Sequence, residues 1–398
     1  MGRLKFKFSL AELIVFFLIS GQIALYGLMW FRLIYDESLK TMDFISFYSA
    51  GRIFRTGNFE DVYDPNSEAV LQRKVVGGSY DSPLVFNHPP YVLPILGLIA
   101  TDHYVSSYML WSGILLLVIL FCGDLTRRYL LKLGWSVQSA ILTTFGCLTF
   151  FPLFISLLIG QDSAFTLIGL LIWTFAILNQ EEIQAGLGLA FATLSPVIAG
   201  ALAFPLFASR RRAGIWFIVG SFAMAIYSLL LVRIKGMIGL IDLLLLSSKG
   251  QAYGFNWSSM YNVLAFLIRN FPNMGIGEAR TIAWALTAVS IIILSVFWWN
   301  KRNLLRIEHI GIAVALSTLT APHLNLHGLS FLVIPIIGLA IVLRERGYTS
   351  LSVLLAPIFS TFAILIVFLT PNLGYSFFYF LILFLILSLW FNLKLERL

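Results

Sequence analysis

Asp43 is the carboxylate best placed for chemistry in this chain. It stands just past an apolar run of membrane-crossing length, near the head of the stretch T-M-D-F-I-S-F-Y-S-A-G-R-I-F-R-T-G-N-F-E-D-V-Y-D-P, residues 41–65. Phe44, Phe47, Tyr48, Ala50, Ile53 and Phe54 follow at spacings near three and four, which predicts an amphipathic helix lying in a membrane interface. Gly57 stops that helix, and Tyr63-Asp64-Pro65 reads as a turn. A carboxylate held where lipid meets water can take a proton from a hydroxyl. The aromatic groove beside it, Tyr48 included, suits a lipid-linked substrate. The bland alternative is that Asp43 only caps the helix, since Asp is a favoured N-cap residue.

Other groups that could act with Asp43 are scattered along the chain. His323 and His327 stand four apart and would share a helix face, but no H-E-x-x-H pattern and no clear third ligand accompany them, so no metal site is expected. Either histidine could instead contact a phosphate or another part of the substrate, by hydrogen bond or by charge. Arg52 and Arg55, three apart on the amphipathic helix, either bind a lipid phosphate or snorkel into headgroups. His88 precedes two prolines, with Tyr91 just beyond, and both are candidates for substrate contact. Gln161 is a further candidate, and Asp162 either caps a helix or joins it. Lys249 is a candidate phosphate contact in a later polar segment. Asn256-Trp257-Ser258 matches the N-x-S acceptor pattern, a short match that arises easily by chance.

The elements that must position these residues are membrane helices. Of the 398 residues 59% are hydrophobic and 12% charged, roughly half the charged share of a soluble domain. Repeated apolar runs of about 20 residues predict an all-α polytopic membrane protein forming a single membrane domain over residues 1–398. The net charge of +8 lies in short basic clusters between apolar runs. That is the positive-inside pattern and points to membrane lipids, not nucleic acid, as partners. Cys122 and Cys147 fall in apolar runs and read as buried thiols, with no disulfide framework.

Loop charges set the expected topology. Arg3, Lys5 and Lys7 precede an uncleaved first span at 10–34, which puts the N-terminus in the cytoplasm. Residues 35–102 then form the first extracytoplasmic loop, with one interfacial helix after Asp43 and a second after Pro90. The stretch 72–82 reads as irregular. Further spans are expected at 104–123, 137–158, 167–178, 216–232, 282–298, 310–319, 329–343, 351–369 and 375–391. Residues 185–207 are ambiguous: one span, or two short helices that go in and come back at Ser195-Pro196. The hairpin keeps Arg210-Arg211-Arg212 on the basic side. A second extracytoplasmic segment covers 233–280. The total is about 12 crossings with both termini cytoplasmic, and every basic cluster then falls on one side. No inverted repeat is visible, which weighs against a secondary transporter.

The motifs D-F-x-x-x-Y-x-A-G at Asp43–Gly51, G-x-x-x-x-x-Y-D-P at Gly57–Pro65 and x-P-P-Y at His88–Tyr91 resemble the bacterial polyprenyl-phosphate-mannose-dependent mannosyltransferases of glycosyltransferase family 87. That family belongs to the GT-C class of membrane glycosyltransferases. The Gly160-Gln161 pair and the Pro322-His323 step are similar too. The resemblance implies a GT-C-like fold in the plasma membrane, with an extracytoplasmic site and Asp43 as the catalytic base. It also implies a polyprenyl-phosphate sugar donor, a glycan or glycolipid acceptor, and no cofactor. The chain departs from the family pattern at His88, commonly an aromatic, and at Ser195, often a lysine, so mannose is only the default hexose. A single displacement needs one base and inverts the anomeric centre. Two other readings stand beside this one. A flippase of lipid-linked sugars would carry ionisable groups at midplane depth, and a glycan ligase or polymerase would lean on Arg and His in a large outer loop.

Overall fold

The computed structural model describes residues 9–78, 80, 83–248, 260–348 and 360–395. Among them the secondary structure is helical. In chain order the helices are α1 (Leu10–Ile34), α2 (Phe44–Arg55), α3 (Pro65–Val76), α4 (Leu93–Ile99), α5 (Tyr104–Lys132), α6 (Val137–Leu148), α7 (Phe151–Ile159), α8 (Ser163–Leu178) and α9 (Glu182–Phe191). They continue with α10 (Pro196–Ser209), α11 (Arg211–Ser248), α12 (Val263–Asn270), α13 (Ile276–Asn300), α14 (Ile307–Thr320), α15 (Val333–Glu345), α16 (Ser360–Leu369) and α17 (Pro371–Leu395). Six described helical stretches are long and apolar enough to cross a membrane, or seven if the bent pair α6–α7 is one span. That is fewer than the dozen expected, because α8, α10 and α14, for example, are apolar but only 14–16 residues long.

The breaks have local causes. α6 and α7 meet at 56°, where Pro152 in the first turn of α7 removes an amide donor. The Thr149 carbonyl at the bend accepts from Gln22 Nε2 (2.8 Å) and Tyr26 Oη (2.9 Å) of α1, so the broken span leaves that group satisfied. Between α9 and α10 the helix breaks at Ser195, and Pro196 opens the next one. Added Cβ atoms at Gly186 and Gly220 would strike the start of α11 and α9 respectively, so α9 and α11 run side by side in the same direction. α10 therefore returns toward the end where α9 began, and the chain doubles back at Ser195-Pro196. Gly169 of α8 and Gly188 of α9 likewise press backbone on backbone, which makes α8, α9 and α11 a seam of small residues.

One end of the bundle gathers the basic clusters. Lys132 Nζ bonds Asn179 (2.6 Å), Arg344 bonds the Gly134 carbonyl (2.8 Å) and Arg306 lies 3.7 Å from Glu345. Ser139 reaches Glu12 near the start of α1 (3.2 Å), and Asn392 reaches Glu308 (2.9 Å). Tyr104, at the start of α5, packs instead on Phe44 and Tyr48, so Asp43 stands at the opposite end.

The segment between α2 and α4 is more ordered than its composition suggests. Asp64 caps α3 through the Asn66 and Ser67 amides, and Pro65 occupies its first turn. Residues 72–76, read as irregular, are therefore helix. Two side chains one turn apart on α3 then clasp the following strand-like segment. Glu68, fully buried, accepts the Phe86 amide on both oxygens (3.1 and 3.0 Å), and Gln72 both donates to and accepts from the Leu84 backbone. The second segment, 233–280, also departs from expectation. α11 continues to Ser248 through a kink at Arg233 (φ 60°), and α13 already begins at Ile276. Lys249, Tyr253 and the Asn256–Ser258 motif lie outside the described residues.

Burial pushes the Glu68 carboxyl well above the usual carboxylate range. A raised folded value means that stability is lost as pH climbs above the ordinary value of 4.5 toward the folded one. Glu68→Ala orphans the Phe86 amide and should cost roughly 1–3 kcal/mol. Glu68→Gln keeps an acceptor without a charge, so at pH 8 it should melt at or above wild type in detergent. If the two variants melted alike, the clasp would not depend on that acceptor.

Candidate active site

Asp43 precedes α2 but does not cap it. Its carbonyl is held by the Ser46 amide (3.1 Å) and hydroxyl (2.8 Å), while its carboxylate makes no capping bond. Oδ2 instead accepts from Gln161 Nε2 at 2.6 Å. Gln161 is itself fixed by the backbone: its amide donates to the Ser156 carbonyl (2.8 Å) and its carbonyl accepts the Ser156 hydroxyl (3.0 Å). Gly160, just before it, ends α7 at φ 77°, and its carbonyl accepts Trp111 Nε1 at 2.8 Å.

Asp162 makes no capping bond either. Its Oδ2 lies 3.0 Å from His88 Nδ1, with side-chain exposures of 6% and 16%. The His88 ring rests against Phe47 and Phe86 (centroids 4.6 and 5.5 Å), and its carbonyl accepts the Tyr63 hydroxyl at 2.8 Å. The α3 clasp thus delivers His88 to Asp162. Ser163 Oγ and His327 Nδ1 are 2.9 Å apart. The loop carrying the two later histidines is tied down at its other end, where the Leu324 carbonyl accepts the Tyr261 amide (2.9 Å) and the Ala321 carbonyl accepts Asn262 Nδ2 (2.8 Å).

These groups surround one cavity of about 740 Å³, the size of a small-molecule site. Asp43, His88, Gln161, Asp162, His323 and His327 all line it. Tyr48, Tyr91 and Arg52 do not. Their polar atoms join backbone or neighbouring helices: Tyr48 to the Thr101 carbonyl (3.0 Å), Tyr91 to Thr193 (3.3 Å) and Arg52 to Asp102 (2.6 Å). Ser195, Arg280, Trp284 and Tyr375 line the cavity without having been read as site residues. Of these only Arg280 had a usable signal, a cation at the head of an apolar run on the Asp43 side. Among the described residues no three of His, Cys, Asp and Glu converge as metal ligands would.

A helical bundle with six or seven described apolar helices of membrane-crossing length, and a cavity with a polar lining at the Asp43 end, is the architecture of a polytopic membrane protein. The family model of glycosyltransferase family 87 matches residues 86–322, and the chain belongs to that family. It is a membrane glycosyltransferase. No curated protein and no solved structure shows a significant match to the chain.

Two measurements probe this geometry. A Cβ at Gly160 would lie 2.6 Å from the Phe44 Cβ, on a backbone that side chains rarely adopt. Gly160→Ala should shift Gln161 against Asp43 and lower turnover roughly a hundredfold; unchanged turnover would show that this junction tolerates movement. Burial, with His327 and His88 nearby, pushes His323 down to about 4. A depressed value means stability present above 6.5 and lost as pH falls toward 4. His323→Gln should therefore flatten the fall in melting temperature between pH 6.5 and 4, and parallel curves would remove His323 from that transition.

Proposed function

We propose that the enzyme transfers a hexose, by default mannose, from a polyprenyl-phosphate donor to a glycan or glycolipid acceptor, with inversion and with Asp43 as general base. The observation that carries this reading is the Asp43 carboxylate, released from capping duty and held by Gln161 at the wall of the cavity.

The donor class follows from orientation. The basic clusters gather at the end of the bundle opposite Asp43, and basic loops are retained in the cytoplasm. The cavity then opens to the extracytoplasmic side, where nucleotide sugars are not supplied and a lipid must carry the sugar. In the reaction the bond from the anomeric carbon to the phosphate oxygen breaks as a bond to the acceptor oxygen forms. The acceptor proton passes to Asp43, and the lipid phosphate leaves with the electron pair. The transition state carries positive charge on the sugar ring, which the carboxylates at this wall stabilise. His323 is neutral at physiological pH and serves as a hydrogen-bonding group only.

Purified protein given radiolabelled polyprenyl-phosphate mannose and a lipid extract should produce a labelled lipid or glycan. Asp43→Asn preserves the size of the side chain and an acceptor for Gln161, yet should lose at least about a hundredfold in rate. Equal transfer by both proteins would remove Asp43 from the mechanism.

A further inference from the structure

We propose that Arg280 binds the phosphate of the lipid donor, fixing the donor with its sugar toward Asp43 and its tail toward the lipid-facing side of α13. The inference rests on the lipid-phosphate reading above and assigns that phosphate a place.

The cavity has two unlike walls. The Asp43 and Asp162 carboxylates, the latter 3.0 Å from His88, make one wall a surface that accepts hydrogen bonds from sugar hydroxyls and disfavours a phosphate. A chain of contacts leads from it to the other wall. Asp43 is bonded to Gln161, Asp162 and Ser163 follow in sequence, and Ser163 meets His327. The loop from 327 back to 321 is tied to Tyr261 and Asn262. Asn262 caps α12 through the Ala265 amide (2.9 Å), and α12 packs on α13 through Leu264, Ala279 and Ala283. Arg280 stands in this last helix and lines the cavity from it, on a different element from the two carboxylates. Among the described lining residues it is the sole Lys or Arg.

The surroundings of Arg280 suit a lipid phosphate better than a soluble one. Arg280 lies in the first turns of a helix long and apolar enough to cross a membrane, a position that suits a cation meeting headgroups. Trp284, one turn further along, and Leu244 of α11 both line the cavity, and they are 53% and 42% exposed. This exposed apolar edge gives a prenyl chain a surface to lie on beside the cavity. A phosphate at Arg280 could send its chain out over Trp284 without crossing the acidic wall. A planar guanidinium also holds phosphate through paired hydrogen bonds, and it would meet the charge that appears on the leaving oxygen. His323 does not supply that charge at neutral pH.

The test is equilibrium binding of radiolabelled polyprenyl monophosphate to the purified protein in detergent. Unlabelled polyprenol, phosphatidylglycerol and inorganic phosphate serve as competitors. Wild type should bind the monophosphate well above polyprenol, and phosphatidylglycerol should not displace it. Arg280→Ala should weaken the monophosphate roughly ten- to a hundredfold while leaving polyprenol unchanged, with Arg280→Lys in between. Should the Ala variant fail to fold, Arg280→Gln carries the same comparison. Undiminished monophosphate binding by the neutral variants overturns the assignment of Arg280 and leaves the donor reading intact. Equal displacement by phosphatidylglycerol also overturns it, because the guanidinium would then be holding bulk headgroups. If wild type does not prefer the monophosphate to polyprenol, the donor reading itself fails.

Discussion

The bond from Gln161 to Asp43, 2.6 Å long, decides what the rest of the bundle is for. A carboxylate at the start of a helix ordinarily turns back to satisfy the helix's own amides. Here the Ser46 hydroxyl joins the Ser46 amide on the Asp43 carbonyl, and the carboxylate is drawn across to another helix junction. Gln161 can hold it only because Gly160 takes a left-handed conformation and Ser156 pins the Gln161 backbone from both sides. The neighbouring residues benefit from the same turn. Asp162 and Ser163 leave it in directions that meet His88 and His327. A single chain reversal between α7 and α8 thus sets three polar contacts on one wall of the cavity.

The periphery supports this junction from a distance. Glu68 and Gln72 hold residues 84–86 by backbone hydrogen bonds, which fixes where His88 emerges. On the other side Arg269 donates to the Met260 carbonyl (3.0 Å) and lies over the Tyr375 ring (4.0 Å), tying α12 to the last helix beside the cavity. Neither cluster touches Asp43. Each limits how far a wall of the cavity can shift, which matters where an ångström of misplacement costs orders of magnitude in rate.

Much of this was legible in the sequence, for physical reasons that differ by residue. The first span, expected at about 10–34, coincides with α1 because long apolar runs are the strongest signal a membrane chain offers. Asp43, His88, Gln161, His323 and His327 were chosen from polar positions on the expected outer side together with the family resemblance, and all five line the cavity. Tyr48 and Arg52, chosen from the amphipathic helix, and Tyr91, chosen from the x-P-P-Y element, lie elsewhere. Which face of a short helix turns inward is set by tertiary packing, and a sequence pattern does not encode it. The clasp on residues 84–86 was invisible because it joins side chains to backbone across an intervening turn. Shorter helices blurred the crossing count, since α8, α10 and α14 are apolar without reaching the length of a full span.

The seam of small residues among α8, α9 and α11 has a mechanical consequence. Where Gly169, Gly186 and Gly188 press on the backbones of neighbouring helices and Gly220 admits the Ala190 methyl, little side-chain volume is left to rotate out of the way, and the seam behaves as a stiff strut. The pairing of α12 with α13 sets Leu264 against Ala279 and Ala283, with Leu267, Ile268 and Met274 around them, and these longer side chains have rotamers to change. Strain placed on the bundle would therefore be taken up on the α12–α13 flank, while the glycine seam holds its spacing.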